Sequence, residues 1–180
     1  MALLVPVTLT NLLRAFIQII PYSPLIGNCN TGQTDPRGIT VDGFNNVYVT
    51  FIAKVKKYDS SGAFITEWGS CGSGDGQFQN AVAIDVGPNG YVYVLGSSYT
   101  QNVQVFDSSG NYLRHWETDG EPPLGITIDA STNVYITFAY QVRKYSAIGD
   151  LILQFGVRKI NDPTNYGLNY PAGIDVGPNG

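Results

Sequence analysis

The residues best placed to do chemistry are aspartates that return along the chain at a near-constant step. Asp42 and Asp129 lie four residues after a glycine that opens a short apolar run, and Asp85 and Asp175 lie two residues after such an opening residue. Carboxylates converging on one point can bind a cation or exchange protons. These four are too far apart to form an Asp-x-Asp-x-Asp-Gly calcium loop, and capping of a turn is the simpler reading. Asp59 and Asp107 each open an Asp-Ser-Ser-Gly stretch, where an aspartate bonds the backbone two residues on and the glycine accepts a positive φ. His115 is the single histidine, beside Trp116, and reads as a surface residue of an outer strand. Cys29 and Cys71 are the two cysteines, too few for a structural zinc site; they read as unpaired small apolar residues, with a disulfide as the alternative. The glycine-rich stretch 69–76 precedes no helix, so it lacks the N-terminal amides of a phosphate loop. No Gly-x-Ser-x-Gly elbow, His-Glu-x-x-His or Cys–His pair is present. The sequence therefore assigns no catalytic residue, metal ligand or cofactor.

The elements that would position these residues follow from a repeat. The opening runs Gly38-Ile39-Thr40-Val41-Asp42, Ala83-Ile84-Asp85-Val86-Gly87, Gly125-Ile126-Thr127-Ile128-Asp129 and Gly173-Ile174-Asp175-Val176-Gly177 follow one another at steps of 45, 42 and 48 residues. A period of this length signals a solenoid, propeller or array. Each full copy continues with a Val-Tyr-Val-type run (47–49, 92–94, 134–136), a third run (54–58, 102–106, 141–145) and a fourth (64–68, 112–116, 151–155). The runs are short and rich in Val, Ile, Tyr, Phe and Trp, which is strand composition. No window keeps the helical period over ten residues. Val-Tyr-Val is apolar on both faces, as expected of a small sheet held between two others. Four antiparallel strands per copy, covered on both sides, predict an all-β propeller.

The tandem pattern resembles the NHL repeat. It is carried by Gly-Ile-Thr-Val-Asp, Asn46-Val47-Tyr48-Val49, Lys57-Tyr58-Asp59-Ser60-Ser61-Gly62, Glu67-Trp68-Gly69 and Gly72 to Phe78. The resemblance spans residues 36–180, with repeats near 36–80, 81–122 and 123–170 and an incomplete one at 171–180. It implies four-stranded blades in a propeller commonly of six, of which this chain supplies a truncated arc of about three to four. Uncovered blade faces would then need missing blades or self-association. The family includes binding modules and enzymes. The reading is a non-enzymatic scaffold that binds a protein or glycan. The alternatives are a lyase or lactonase with metal-binding residues in missing blades, and an RNA-binding or ubiquitin-ligase-associated module of a larger protein.

The loops between second and third strands vary most, and in propellers they line one channel end. Phe51, Ile52, Tyr99, Gln101, Phe138 and Tyr140 there form a candidate partner-binding rim, or pack between blades. The family's Asp and Asn-Arg positions in this loop hold Thr50, Leu95, Thr137 and Lys54, Asn102, Gln141 instead, which weakens any carry-over of its polar ligand surface. The formal net charge is −4. Basic residues cluster only at Lys54, Lys56, Lys57 and at Arg143, Lys144, which argues against a nucleic-acid partner. Low charge and abundant Ser, Thr, Asn, Gly and Tyr lean toward a secreted or cell-surface protein. Residues 1–35 form a separate apolar segment. It reads as a signal or membrane anchor, or as the outer strand of a preceding blade, since Asn11 to Phe16 resembles Asn111 to Trp116.

Overall fold

A computed structural model describes residues 35–96, 103–118, 121–156, 168 and 170–177. The segment 1–34 with its alternative readings, Cys29, Tyr99 and Gln101 lie outside these. The described residues are all-β, in three four-stranded antiparallel sheets. The first blade is β1 (Ile39–Val41), β2 (Val47–Thr50), β3 (Val55–Tyr58) and β4 (Phe64–Trp68). A crossing follows that holds two short strands, β5 (Ser70–Cys71) and β6 (Gln77–Phe78). The second blade is β7 (Ala81–Val86), β8 (Val92–Gly96), β9 (Val103–Phe106) and β10 (Tyr112–Trp116). The third is β11 (Gly125–Ile128), β12 (Val134–Thr137), β13 (Val142–Tyr145) and β14 (Leu151–Phe155). In each blade the strands pair in chain order. β7 packs against β1 and β2 on one side and β11 on the other. The innermost strands therefore stand side by side, and the molecule is a partial propeller arc.

The Val-Tyr-Val expectation holds in the first two blades, where Tyr48, Tyr93 and their flanking valines are buried; in the third blade Tyr135 is half-buried. The core lies between blades, not within one. Tyr48 and Val55 of the first blade pack with Ile84, Val92, Val94 and Phe106 of the second. Tyr93, Leu95, Val103 and Val105 of the second pack with Ile126, Val134, Ile136 and Phe138 of the third. Gly38 shows why an opening run begins with glycine. A Cβ there would sit 2.8 Å from the Ala83 backbone, so the close approach of β1 to β7 admits no side chain.

A second interblade device recurs at the outer corner. In the first two blades the last aromatic of the outer strand lies against the glycine that ends the next blade's outer turn. A Cβ on Gly110 would fall 2.6 Å from the Trp68 ring, and one on Gly149 would fall 2.5 Å from Trp116. Both glycines have positive φ, 90° and 100°. A cation clasps the same turns. Lys57 Nζ donates to the Ser108 carbonyl at 3.0 Å, and Arg114 Nη2 donates to the Ala147 carbonyl at 2.8 Å.

The crossing 69–80 carries more structure than its glycines suggest. Ser70–Cys71 pairs in parallel with Gln77–Phe78. Gln104 fixes it to β9, with Nε2 donating to the Gln77 carbonyl at 2.6 Å and Oε1 accepting from the Gly76 amide at 2.8 Å. Cys71 is disulfide-bonded, which corrects the reading of an unpaired thiol; the chain's other cysteine is Cys29.

Candidate functional site

Antiparallel pairing puts the loops between second and third strands, with the outer-to-inner crossings, at one end of the arc. The candidate rim residues divide there. Phe51 is half-buried and carries Lys56 Nζ 5.3 Å from its ring centroid. Ile52 is buried, and its carbonyl accepts from the Ala81 amide at 2.9 Å, joining first and second blades. Phe138 has no exposed surface; it belongs to the core between second and third blades, with the Arg143 guanidinium 4.7 Å from its ring. Tyr140 is half-buried and meets Tyr170 edge-on, with ring centroids 5.6 Å apart.

Tyr170 is the rim residue that the sequence did not single out. It lies in the crossing after the third blade, is 62% exposed, and holds φ at 51°. Its amide donates to the Ala139 carbonyl at 2.7 Å. That bond fastens the crossing to the β12–β13 loop and places the two tyrosines together. Such a pair presents apolar ring faces and edges with hydroxyl groups, the chemistry of an amphipathic contact surface.

The aspartates are engaged elsewhere. At the opposite end, Asp42 accepts from the Phe44 and Asn46 amides, from Asn46 Nδ2 and from the Tyr48 hydroxyl, all at 2.8 to 3.0 Å. Asp129 accepts from the Ser131 and Asn133 amides, from Asn133 Nδ2 and from the Tyr135 hydroxyl, and lies 3.3 Å from Lys144 Nζ. Burial acts to raise both carboxyls. The hydrogen bonds from Asn46 and from Asn133 and the other donors outweigh it and hold both below the ordinary range. The Tyr48 phenol is pushed up, first by burial and then by the Asp42 carboxylate.

Asp85 works between blades. Its Oδ1 accepts from Thr40 Oγ1 of the first blade at 2.9 Å and from the Val86 amide at 2.8 Å. Its Oδ2 accepts from the Ile128 amide of the third blade at 2.8 Å. One carboxylate thus joins three blades. His115 lies on the outer strand as expected, with Nδ1 2.6 Å from the Tyr112 hydroxyl and 3.4 Å from Asp75 Oδ1. Burial and the Asp75 carboxylate push the Tyr112 phenol up to about 12. Among the described residues, no three His, Cys, Asp or Glu side chains converge so as to hold a metal ion.

Comparison with known proteins fits this architecture. The Beta-propeller repeat family matches residues 22–50. The chain is 27% identical over 155 residues to protein brain tumor of Drosophila melanogaster, across 78% of this chain and 15% of that protein. Among solved structures, virginiamycin B lyase from Staphylococcus aureus superposes with a TM-score of 0.56 at 16% identity, over 72% of this chain and 44% of the lyase. A Bacteroides caccae protein of unknown function superposes with a TM-score of 0.55 at 8% identity, over 67% of this chain and 46% of that one. The chain spans less than half the length of each of these three proteins. The structural likenesses establish the propeller fold.

Proposed function

We propose that the chain is an NHL-type propeller scaffold whose loop rim docks a protein segment or glycan. The observation that carries this reading is the Tyr140–Tyr170 pair, part-exposed at the end of the arc where blade-linking loops gather. Phe51 with Lys56 adds an aromatic and a cation at the same end. Three of the four repeating aspartates act as structural acceptors: Asp42 and Asp129 hold their own turns, and Asp85 holds its neighbours. The tandem Gly-Ile-Thr-Val-Asp, Val-Tyr-Val and Asp-Ser-Ser-Gly motifs support the NHL reading.

The test screens the immobilised chain against a synthetic peptide library and a glycan array, then repeats it with Tyr140→Ala and Tyr170→Ala. A ligand whose affinity drops at least ~10-fold in both variants, at unchanged melting temperature, supports the rim; that loss is the one expected of a hot-spot tyrosine. Ligands indifferent to both substitutions, or none at all, overturn it.

A further inference from the structure

The outer strands of the three blades differ in one respect that bears on assembly. An outer strand is a sheet edge, and native edges are usually guarded by charge. The inward-turned backbone of each can be read from the ladder. The Phe138 amide bonds the Gln141 carbonyl, and hydrogen-bonded pairs alternate from there. Arg143 therefore bonds β12, while Val142 and Lys144 bond Phe155 and Leu153 of β14. Gln154 is left with its N–H and C=O on the edge that no other described strand pairs with. The matching positions are Glu67 on β4 and His115 on β10, opposite Lys56 and Gln104 in register. Glu67 is held by Lys54 and Lys56, and His115 sits beside Arg114 in sequence and Asp75 in space. β14 carries no charged residue.

β14 is also exposed along its whole length: Leu151, Ile152, Leu153 and Phe155 each keep about half their surface open (46–56%). We propose that this edge is an interface for a second copy of the chain, with the two β14 strands antiparallel about a two-fold axis through Gln154. In that register Gln154 faces its own counterpart. The backbones exchange two reciprocal bonds, and each amide side chain offers both a donor and an acceptor. Leu153 of one copy falls opposite Phe155 of the other, and the reverse, so both flanking pairs are apolar. An isologous contact needs a self-complementary patch. β14 is one, whereas the same pairing of β4 or β10 would set Glu67 against Glu67 or Arg114 near Arg114. The skipped register between Lys144 and Tyr145 interrupts the ladder toward Ile152, so the contact is short and the dimer is concentration-dependent.

The test is sedimentation of the 180-residue chain over a concentration series, with Gln154→Glu and Gln154→Lys. Position 154 is exposed, so neither variant disturbs a packed side chain, and circular dichroism with melting temperature verifies the fold. The native chain is expected to dimerise. Each charge variant alone should lose up to about 5-fold in association, since like charges then oppose each other across the axis, and the lysine variant should lose more, because Arg143 lies opposite position 154 in register. An equimolar mixture of the two should recover it as a heterodimer. A native chain that stays monomeric overturns the proposal. So does a charge variant that associates as before, the outcome for indiscriminate apolar contact. A mixture that stays monomeric also overturns it, because the register then places position 154 against something other than itself.

Discussion

Replacing Gly149 with alanine separates interblade packing from turn strain. Gly149 ends the turn that begins at Ser146, with its amide donating to the Ser146 carbonyl at 3.0 Å. Gly90 ends a like turn, donating to the Gly87 carbonyl at 2.9 Å. Both have positive φ, 100° and 77°, so alanine at either incurs the left-handed penalty of ~1–2 kcal/mol. The surroundings differ. Nothing lies within 4 Å of a Cβ on Gly90, whereas a Cβ on Gly149 would approach Trp116 Cγ to 2.5 Å. Trp116 is buried against the third blade and cannot simply rotate away, so an overpacking cost of ~1–3 kcal/mol adds to the strain. Gly90→Ala should cost ~1 kcal/mol and Gly149→Ala ~3 kcal/mol by this reasoning. Urea denaturation reads the gap. With a slope of ~2 kcal/mol per molar the two midpoints should differ by roughly 1 M. In a Trp116→Leu background the excess at Gly149 should shrink toward the Gly90 value. Equal losses at the two glycines, or an excess that survives Trp116→Leu, would refute the aromatic-on-glycine lock as a source of blade cohesion.

Two further outcomes follow from the aspartates. Asp85→Ala leaves the buried Ile128 amide without its acceptor and frees the Thr40 hydroxyl; a loss of ~2–3 kcal/mol is expected in urea, and a smaller one for Asp85→Asn, which keeps an acceptor oxygen. A loss below ~0.5 kcal/mol for Asp85→Ala would show that the three-blade junction contributes little. The carboxyls of Asp42 and Asp129 are held below their ordinary value in the folded chain. Their stabilisation is therefore complete above the unfolded carboxyl pKa of ~3.9 and disappears as pH falls through the lower folded value. Melting temperature should drop on acidification through that window, and less steeply in Asp129→Asn; a native profile that stays flat down to pH ~2 contradicts the assignment.

The strands were legible because their cause is local. Short β-branched and aromatic runs divided by Asp-Ser-Ser-Gly or Gly-Pro-Asn-Gly leave the backbone few other options. The role of Asp42 and Asp129 as turn caps was legible for the same reason: the amides that donate to them lie two and four residues on. Contacts between blades were not. Asp85 bonds residues 45 and 43 positions away, and nothing in its own run distinguishes that from a turn cap. Tyr170 reaches the rim only through its bond to Ala139. The glycine-rich crossing hides the β5–β6 pair because the glutamine that anchors it, Gln104, belongs to another strand. Of the rim candidates, Ile52 and Phe138 look as exposed in sequence as Phe51 and Tyr140. Only the neighbouring blade decides which are covered.

The repeat moves its polar residues between positions from blade to blade. In the first and third blades the carboxylate stands at the fifth position of the opening run and caps its own turn, beside threonine at the third. In the second blade it stands at the third position, the turn becomes Gly87-Pro88-Asn89-Gly90, and the carboxylate accepts from the threonine of the blade before it. The outer clasp behaves alike. Lys57 on β3 lies opposite Thr66 on β4, whereas Val105 on β9 lies opposite Arg114 on β10. The cation has crossed to the neighbouring strand, yet both donate to the second carbonyl of the next blade's outer turn. A residue-by-residue comparison counts the exchange at the clasp as a difference, although the accepting carbonyl and the surfaces it joins are preserved. Low identity to other propellers is then the expected companion of a shared fold, because the packing constrains a pair of facing strands and leaves open which of them carries the charge.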